Sequence, residues 1–132
     1  MVEIDKLAWI HIRARKLLGA RSRGNPVCYL PGGKREPGES DAEALVREIR
    51  EELSIALDPA SLVAAGEFRA EADAKPAGVM VKLICYEADF EGEIAPAAEI
   101  EEVLWLGHAD RERCSAAGRL VLDHLHACDR ID

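Results

Sequence analysis

Apolar residues along this chain follow a two-residue rhythm in most stretches and a three-to-four-residue rhythm in a few. Between residues 7 and 21, Trp9, His11 and Arg13 interleave with Ala8, Ile10 and Ile12, and Leu17-Leu18 follow. This pattern predicts two strands joined by a short basic turn at residues 13–16. Gly24, Asn25 and Pro26 mark a loop, residues 27–30 form a short strand, and Pro31-Gly32-Gly33 ends it. A second turn at Pro37-Gly38 precedes the strongest helix signal. Ser40 is a good N-cap and Glu43 completes a capping box. Ala42, Leu45, Val46, Ile49 and Leu53 then repeat along one face, which predicts a helix over residues 41–54. Further on, the pattern predicts strands over 62–70, 79–90 and 103–106, with a polar loop at 71–78 and an acidic loop at 91–102. A closing amphipathic helix over 116–128 carries Leu120, Val121, Leu122 and Leu125. Strands and helices in irregular alternation imply an α/β fold, a mixed sheet with helices on both faces.

With 132 residues the chain fits one domain with a real hydrophobic core, and no internal linker divides it. Hydrophobic residues make up 48% and charged residues 32%, a globular balance. No apolar run is long enough for a membrane helix and the first residues lack a signal-peptide layout, so a cytoplasmic protein is expected. The formal charge of −8 disfavours nucleic-acid polymers and anionic membranes as partners. A small anionic substrate stays compatible if a bound cation inverts the local field. Cys28, Cys85, Cys114 and Cys128 contain no C-x-x-C pair; Cys28 and Cys85 sit in apolar runs and read as buried thiols. His124 and His126, two apart on a helix, point to different sides and read as surface histidines.

On the predicted helix, Glu48, Glu51 and Glu52 stand at i, i+3 and i+4. At about 100° per residue they share a face turned away from Leu45, Ile49 and Leu53. By itself that is an ordinary solvated acidic face, with Arg47 and Arg50 as neighbours. The preceding Gly32-Gly33 and Pro37-Gly38-Glu39 change the reading, because a constrained entry can aim backbone carbonyls where the carboxylates point. Oxygen-only ligation suits Mg²⁺ or Mn²⁺. A cation so held neutralises a diphosphate and acidifies water.

From Gly33 the run GKREPGESDAEALVREIREELSI resembles the Nudix box, Gly-x5-Glu-x7-Arg-Glu-U-x-Glu-Glu-x-Gly-U, where U is bulky and aliphatic. Gly33, Glu39, Arg47, Glu48, Ile49, Glu51, Glu52 and Ile55 fall in place. Ser54 departs, standing where the pattern has the helix-ending glycine. The resemblance implies an α/β/α sandwich around a mixed sheet and hydrolysis of a nucleoside diphosphate linked to another group. It makes Glu48, Glu51 and Glu52 the metal-binding carboxylates, with the Gly32 carbonyl as a further ligand and Mg²⁺ or Mn²⁺ as cofactor. Arg47 would orient the carboxylates and Glu39 would support the loop. A distal catalytic glutamate is expected from the acidic loop, Glu99 first and Glu102 second. Arg21 is similar to a phosphate-contacting arginine of MutT-like members, and Lys34 and Arg35 are candidate substrate cations. Trp9, Tyr29 and Phe68 are candidates for stacking on a base, although strand aromatics usually serve the core.

The expected reaction is attack of water at phosphorus, with one of Glu48, Glu51, Glu52 or Glu99 accepting the proton. The marks of NADH-type, coenzyme A-type and dinucleoside polyphosphate-type relatives are missing. That leaves MutT-like nucleoside triphosphate hydrolysis first and ADP-ribose-like diphosphates second. A nucleotide-binding domain without turnover and a plain acidic interaction domain are the rivals from other classes. Oligomeric state is open, dimers being common among relatives.

Overall fold

The computed structural model describes residues 2–72 and 75–132. In chain order its elements are β1 (Val2–Trp9), β2 (Ile12–Arg13), β3 (Lys16–Ser22), β4 (Cys28–Tyr29), β5 (Gly32–Lys34), α1 (Asp41–Leu53), β6 (Ala56–Leu57), β7 (Val63–Glu71), β8 (Val79–Glu87), β9 (Phe90–Glu91), β10 (Ile100–Leu106) and α2 (Ala116–Ala127). Short 3-10 turns occupy Pro59–Ser61 and His108–Arg113. One sheet has the order β5-β1-β8-β7. In it β1 runs parallel to β8 and the other pairs are antiparallel, so the sheet is mixed. The second sheet, β10-β3-β2 with β4 against β3, is antiparallel throughout. A small ribbon pairs β6 with β9.

Strand alternation decides which helix each residue meets. Leu7, Trp9 and Leu18 pack with Leu45, Ile49 and Leu53 of α1, whereas Ala8, Ile10 and Leu17 pack with Val121, Leu122 and Leu125 of α2. Val81, Leu83 and Cys85 join the α2 side; Ile84 and Tyr86, between them, lie against the α1 side. The result is the expected α/β/α sandwich. Each fully buried leucine or isoleucine in these two cores contributes about 1.5–3 kcal/mol of transfer free energy.

Several elements differ from the sequence pattern, each for a physical reason. The first strand begins at Val2 rather than residue 7, because its main chain pairs with β8 along its whole length; Val2 and Glu3 are exposed and gave no apolar signal. The basic turn lies where expected, with Ala14 and Arg15 at φ 50° and 62°, a two-residue hairpin geometry. Gly32-Gly33 forms a strand against β1 instead of a turn. The predicted strand over 79–90 breaks after Glu87, leaving Phe90–Glu91 to pair with β6, and β10 starts at Ile100 inside the predicted loop. Among the described residues no helix is long and apolar enough to cross a membrane.

Candidate active site

The site is built on α1 and the strand before it. Ser40 Oγ accepts from the Glu43 N–H at 3.2 Å, and Glu43 Oε1 accepts from the Ser40 N–H at 3.0 Å, so the capping box fixes where the helix starts. At the other end Ser54 adopts the left-handed conformation, φ 64° and ψ 23°, and its N–H donates to the Arg50 carbonyl. The serine thus makes the turn that glycine makes in the pattern. It also adds a hydrogen bond of its own, Oγ to the Ala95 carbonyl at 3.2 Å.

Between these ends the helix holds Leu45, Ile49 and Leu53 in the core and turns Glu48 and Glu52 toward β5. Glu52 is 8% exposed, and its Oε1 accepts from the Gly32 N–H at 2.9 Å. Burial pushes its pKa up to about 8 against that hydrogen bond, and the nearby carboxylates of Glu48, Glu99 and Glu51 push the same way. Glu48 is held by Arg47, whose Nη1 donates to Oε1 at 2.9 Å. The same guanidinium grips Glu39 with two bonds of 2.7 and 2.8 Å and reaches the Lys34 carbonyl at 3.2 Å. Arg47 and the Glu36 N–H together hold the Glu39 carboxyl down to about 2. One planar fork therefore ties loop, strand and helix together, a geometry that lysine cannot supply.

The two glycines of β5 serve different contacts. Gly32 has φ 146°, and a Cβ there would stand 2.0 Å from the Leu7 carbonyl oxygen. Gly33 lies against Glu48, whose carboxylate would be 2.6 Å from a Cβ at that position. The first glycine permits strand pairing, the second close approach of a functional carboxylate.

Glu48, Glu52 and Gly32-Gly33 form one wall of a cleft of about 450 Å³, within the usual range for small-molecule sites. Glu99, in the turn just before β10, lines the same cleft, while Glu102 pairs with Arg21 at 2.8 Å and is not part of the lining. Of the expected substrate cations only Lys34 lines it. Arg21 does not: strand alternation gives the cleft Ala20 and Ser22, and Arg21 instead binds Glu101, Glu102 and the Asn25 carbonyl. Arg35 is likewise engaged elsewhere, with Asp41, which also accepts from the Tyr86 hydroxyl. Glu51 is exposed, 3.6 Å from Arg47, and stands outside the cleft wall. Trp9 is fully buried against His11 and Phe90, and Phe68 packs on the α2 side, so Tyr29 is the one stacking candidate of the three that reaches the cleft.

The sequence pattern did not single out Lys6 and Lys75, which also line this cleft. Lys6 had a signal: it stands between the apolar Ile4 and Ala8 on one face of β1. Among the described residues no three His, Cys, Asp or Glu side chains close on a single point as a finished metal cage. The donor chemistry nonetheless suits a hard cation, because the wall offers oxygen donors, the Glu48 and Glu52 carboxyls and the Gly32-Gly33 main chain; Glu52, whose pKa is raised by burial and by the neighbouring carboxylates, would give up its proton to ligate.

A family model for the NUDIX domain matches residues 8–121. Among solved structures, the E. coli ORF135 protein is 28% identical, with a TM-score of 0.74 over 100% of this chain and 96% of its own. The MutT protein from Bacillus halodurans is 25% identical, with a TM-score of 0.70 over 97% and 85%. A MutT NUDIX hydrolase from Burkholderia pseudomallei is 23% identical, with a TM-score of 0.74 over 93% and 98%. A search of curated protein sequences returns no match. The family match extends across most of the chain and the carboxylate helix lies inside it, so this chain belongs to the Nudix family and is a Nudix hydrolase.

Proposed function

We propose that this protein hydrolyses a phosphate–phosphate bond in a nucleotide with the help of Mg²⁺ or Mn²⁺, with nucleoside triphosphates as the favoured substrates. The observation that carries this reading is the cleft wall itself. Glu48 and Glu52 stand side by side on α1, one fixed by Arg47 and the other by the Gly32 N–H, opposite Glu99 and next to Lys34. Glu48, Glu52 and the Gly32 carbonyl would hold the cation from this wall, with Glu51, outside the wall on the same helix, as the further carboxylate ligand. When bound, the cation supplies neutralisation of the diphosphate and Lewis-acid polarisation at phosphorus.

The chain's own groups do the rest. Arg47 keeps the Glu48 carboxylate from rotating away, and Lys34 meets phosphate oxygens at the rim. The proton of the attacking water passes to one of the wall carboxylates, Glu48, Glu52 or Glu99. Water attacking one phosphorus of the substrate's α–β linkage forms a new P–O bond there and breaks the bond from that phosphorus to the bridging oxygen, which leaves on the other phosphorus, giving nucleoside monophosphate and pyrophosphate. Tyr29 at the cleft offers a ring face for the base.

Separation of products after incubation with a nucleotide panel tests the reading. Divalent-cation-dependent turnover that drops at least about a hundredfold in Glu48→Gln is the expected result. Unchanged turnover in that variant overturns the assigned role.

A further inference from the structure

We infer that Arg23, outside both the box and the cleft, is a positioning residue that aims the Glu99 carboxylate and affects the reaction only through it. The inference rests on the hydrolase reading above and concerns how one of its carboxylates is held in place. Antiparallel pairing sets Ser22, the last residue of β3, opposite Ile100, the first of β10. One step further along both chains, Arg23 meets Glu99, and the Glu99 carbonyl accepts from the Arg23 N–H at 2.9 Å. The guanidinium reaches one residue beyond, where Nη1 donates to the Ala98 carbonyl. Arg23 thus fixes both peptide units that flank the Glu99 Cα, and with them the direction in which its side chain leaves the main chain. A charged donor on a carbonyl makes one of the stronger kinds of hydrogen bond.

Glu99 sits in a four-residue turn, closed by the Ile100 N–H on the Ala97 carbonyl at 3.1 Å. Within it Ala98 has φ 54°, a left-handed conformation that an alanine keeps only where its surroundings hold it. The far end of the turn is anchored on α1, where the Ala97 N–H donates to the Glu52 carbonyl at 2.9 Å. Between these two anchors Glu99 lines the cleft with Glu48 and Glu52, and its charge is felt at Glu52. Arg23 itself is exposed and belongs to neither core, so shortening it opens no cavity. Ser22, just before it, lines the cleft, whereas Arg23 does not. Its guanidinium holds the turn without standing in the place a substrate would occupy.

Turnover of a nucleoside triphosphate with Mg²⁺ is compared in wild type, Arg23→Ala, Glu99→Gln and the double variant. Arg23→Ala is expected to lower kcat by about tenfold or more with a smaller change in KM, but by less than about twofold once Glu99 is already glutamine. Arg23→Lys, which can still donate to the Ala98 carbonyl, recovers most of the activity. A role in general stability, or a substrate contact of its own, would cost the same in both backgrounds. Amide exchange supplies a readout that needs neither substrate nor cation. Arg23→Ala is expected to speed exchange at Ala97 and Ile100 by about fivefold or more and to leave the α1 amides unchanged. No loss in either single variant, equal losses in the two backgrounds, or unchanged exchange at the turn overturns the inference. If wild type cuts no nucleotide, the hydrolase reading falls, and the exchange comparison alone decides whether Arg23 holds the turn that carries Glu99.

Discussion

Replacing Glu52 by glutamine separates what this side chain costs the fold from what it gives the site. The carboxyl is buried beside Glu48, and its pKa stands at about 8 in the folded protein against an ordinary 4.5. Between those two values the folded state keeps a proton that the unfolded chain has lost. Stability therefore falls as pH rises through this window, and flattens above about 8. At about 1.4 kcal/mol per pH unit, going from about pH 5.5 to about pH 8.5 removes about 3 kcal/mol through this group alone. Glutamine still accepts from the Gly32 N–H but has no charge to bury. Denaturant unfolding with a chelator present, on both proteins at both pH values, gives the comparison. Other titrating groups such as His11, whose pKa is lowered by burial, cancel in the difference. The variant is expected to gain on wild type by about 3 kcal/mol across the interval while losing turnover. Parallel pH profiles for the two proteins would refute the assignment of a buried, reluctantly ionised carboxyl to position 52.

Other substitutions probe the neighbouring contacts. Gly32→Ala drives a Cβ into the Leu7 main chain, so it is expected to destabilise by several kcal/mol (about 3 or more), read by chemical denaturation. Gly33→Ala instead meets the movable end of Glu48; the melting temperature should barely change while kcat falls at least about tenfold. Arg47→Lys keeps the charge and loses the fork to Glu39 and Glu48, and a kcat loss of about tenfold or more with a smaller change in KM is expected from steady-state kinetics. Ser54→Gly relieves a left-handed serine at about 1–2 kcal/mol but gives up the bond to Ala95 and some backbone order. A net gain of about 0.5 kcal/mol with unchanged activity is expected in thermal melts.

The chemistry of the helix was legible from sequence because it is local. Capping at Ser40, the apolar stripe and the glutamate spacing all depend on residues within a few turns of one another. The double role of Gly32-Gly33 was not, since it depends on β1 and on Glu48 folding back across the chain. Arg21 is a candidate substrate contact only by its similarity to an arginine of MutT-like members. Its alternation with Ala20 and Ser22 turns it instead to Glu101 and Glu102 of β10. Arg35 was placed by its loop, but it is taken by Asp41 in the first turn of α1. Patterns of period two or three-and-a-half report which face a residue lies on. They do not report what the face meets.

The central claim is that the Glu48–Glu52 wall cuts a phosphoanhydride with a divalent cation. Product identification on a nucleoside triphosphate, with and without Mg²⁺, tests it most directly, using wild type and Glu48→Gln. Nucleoside monophosphate and pyrophosphate that form only with the cation, and hardly at all in the variant, are the predicted result. Equal turnover with the cation chelated, or no phosphoanhydride cleavage in any nucleotide tried, would contradict it.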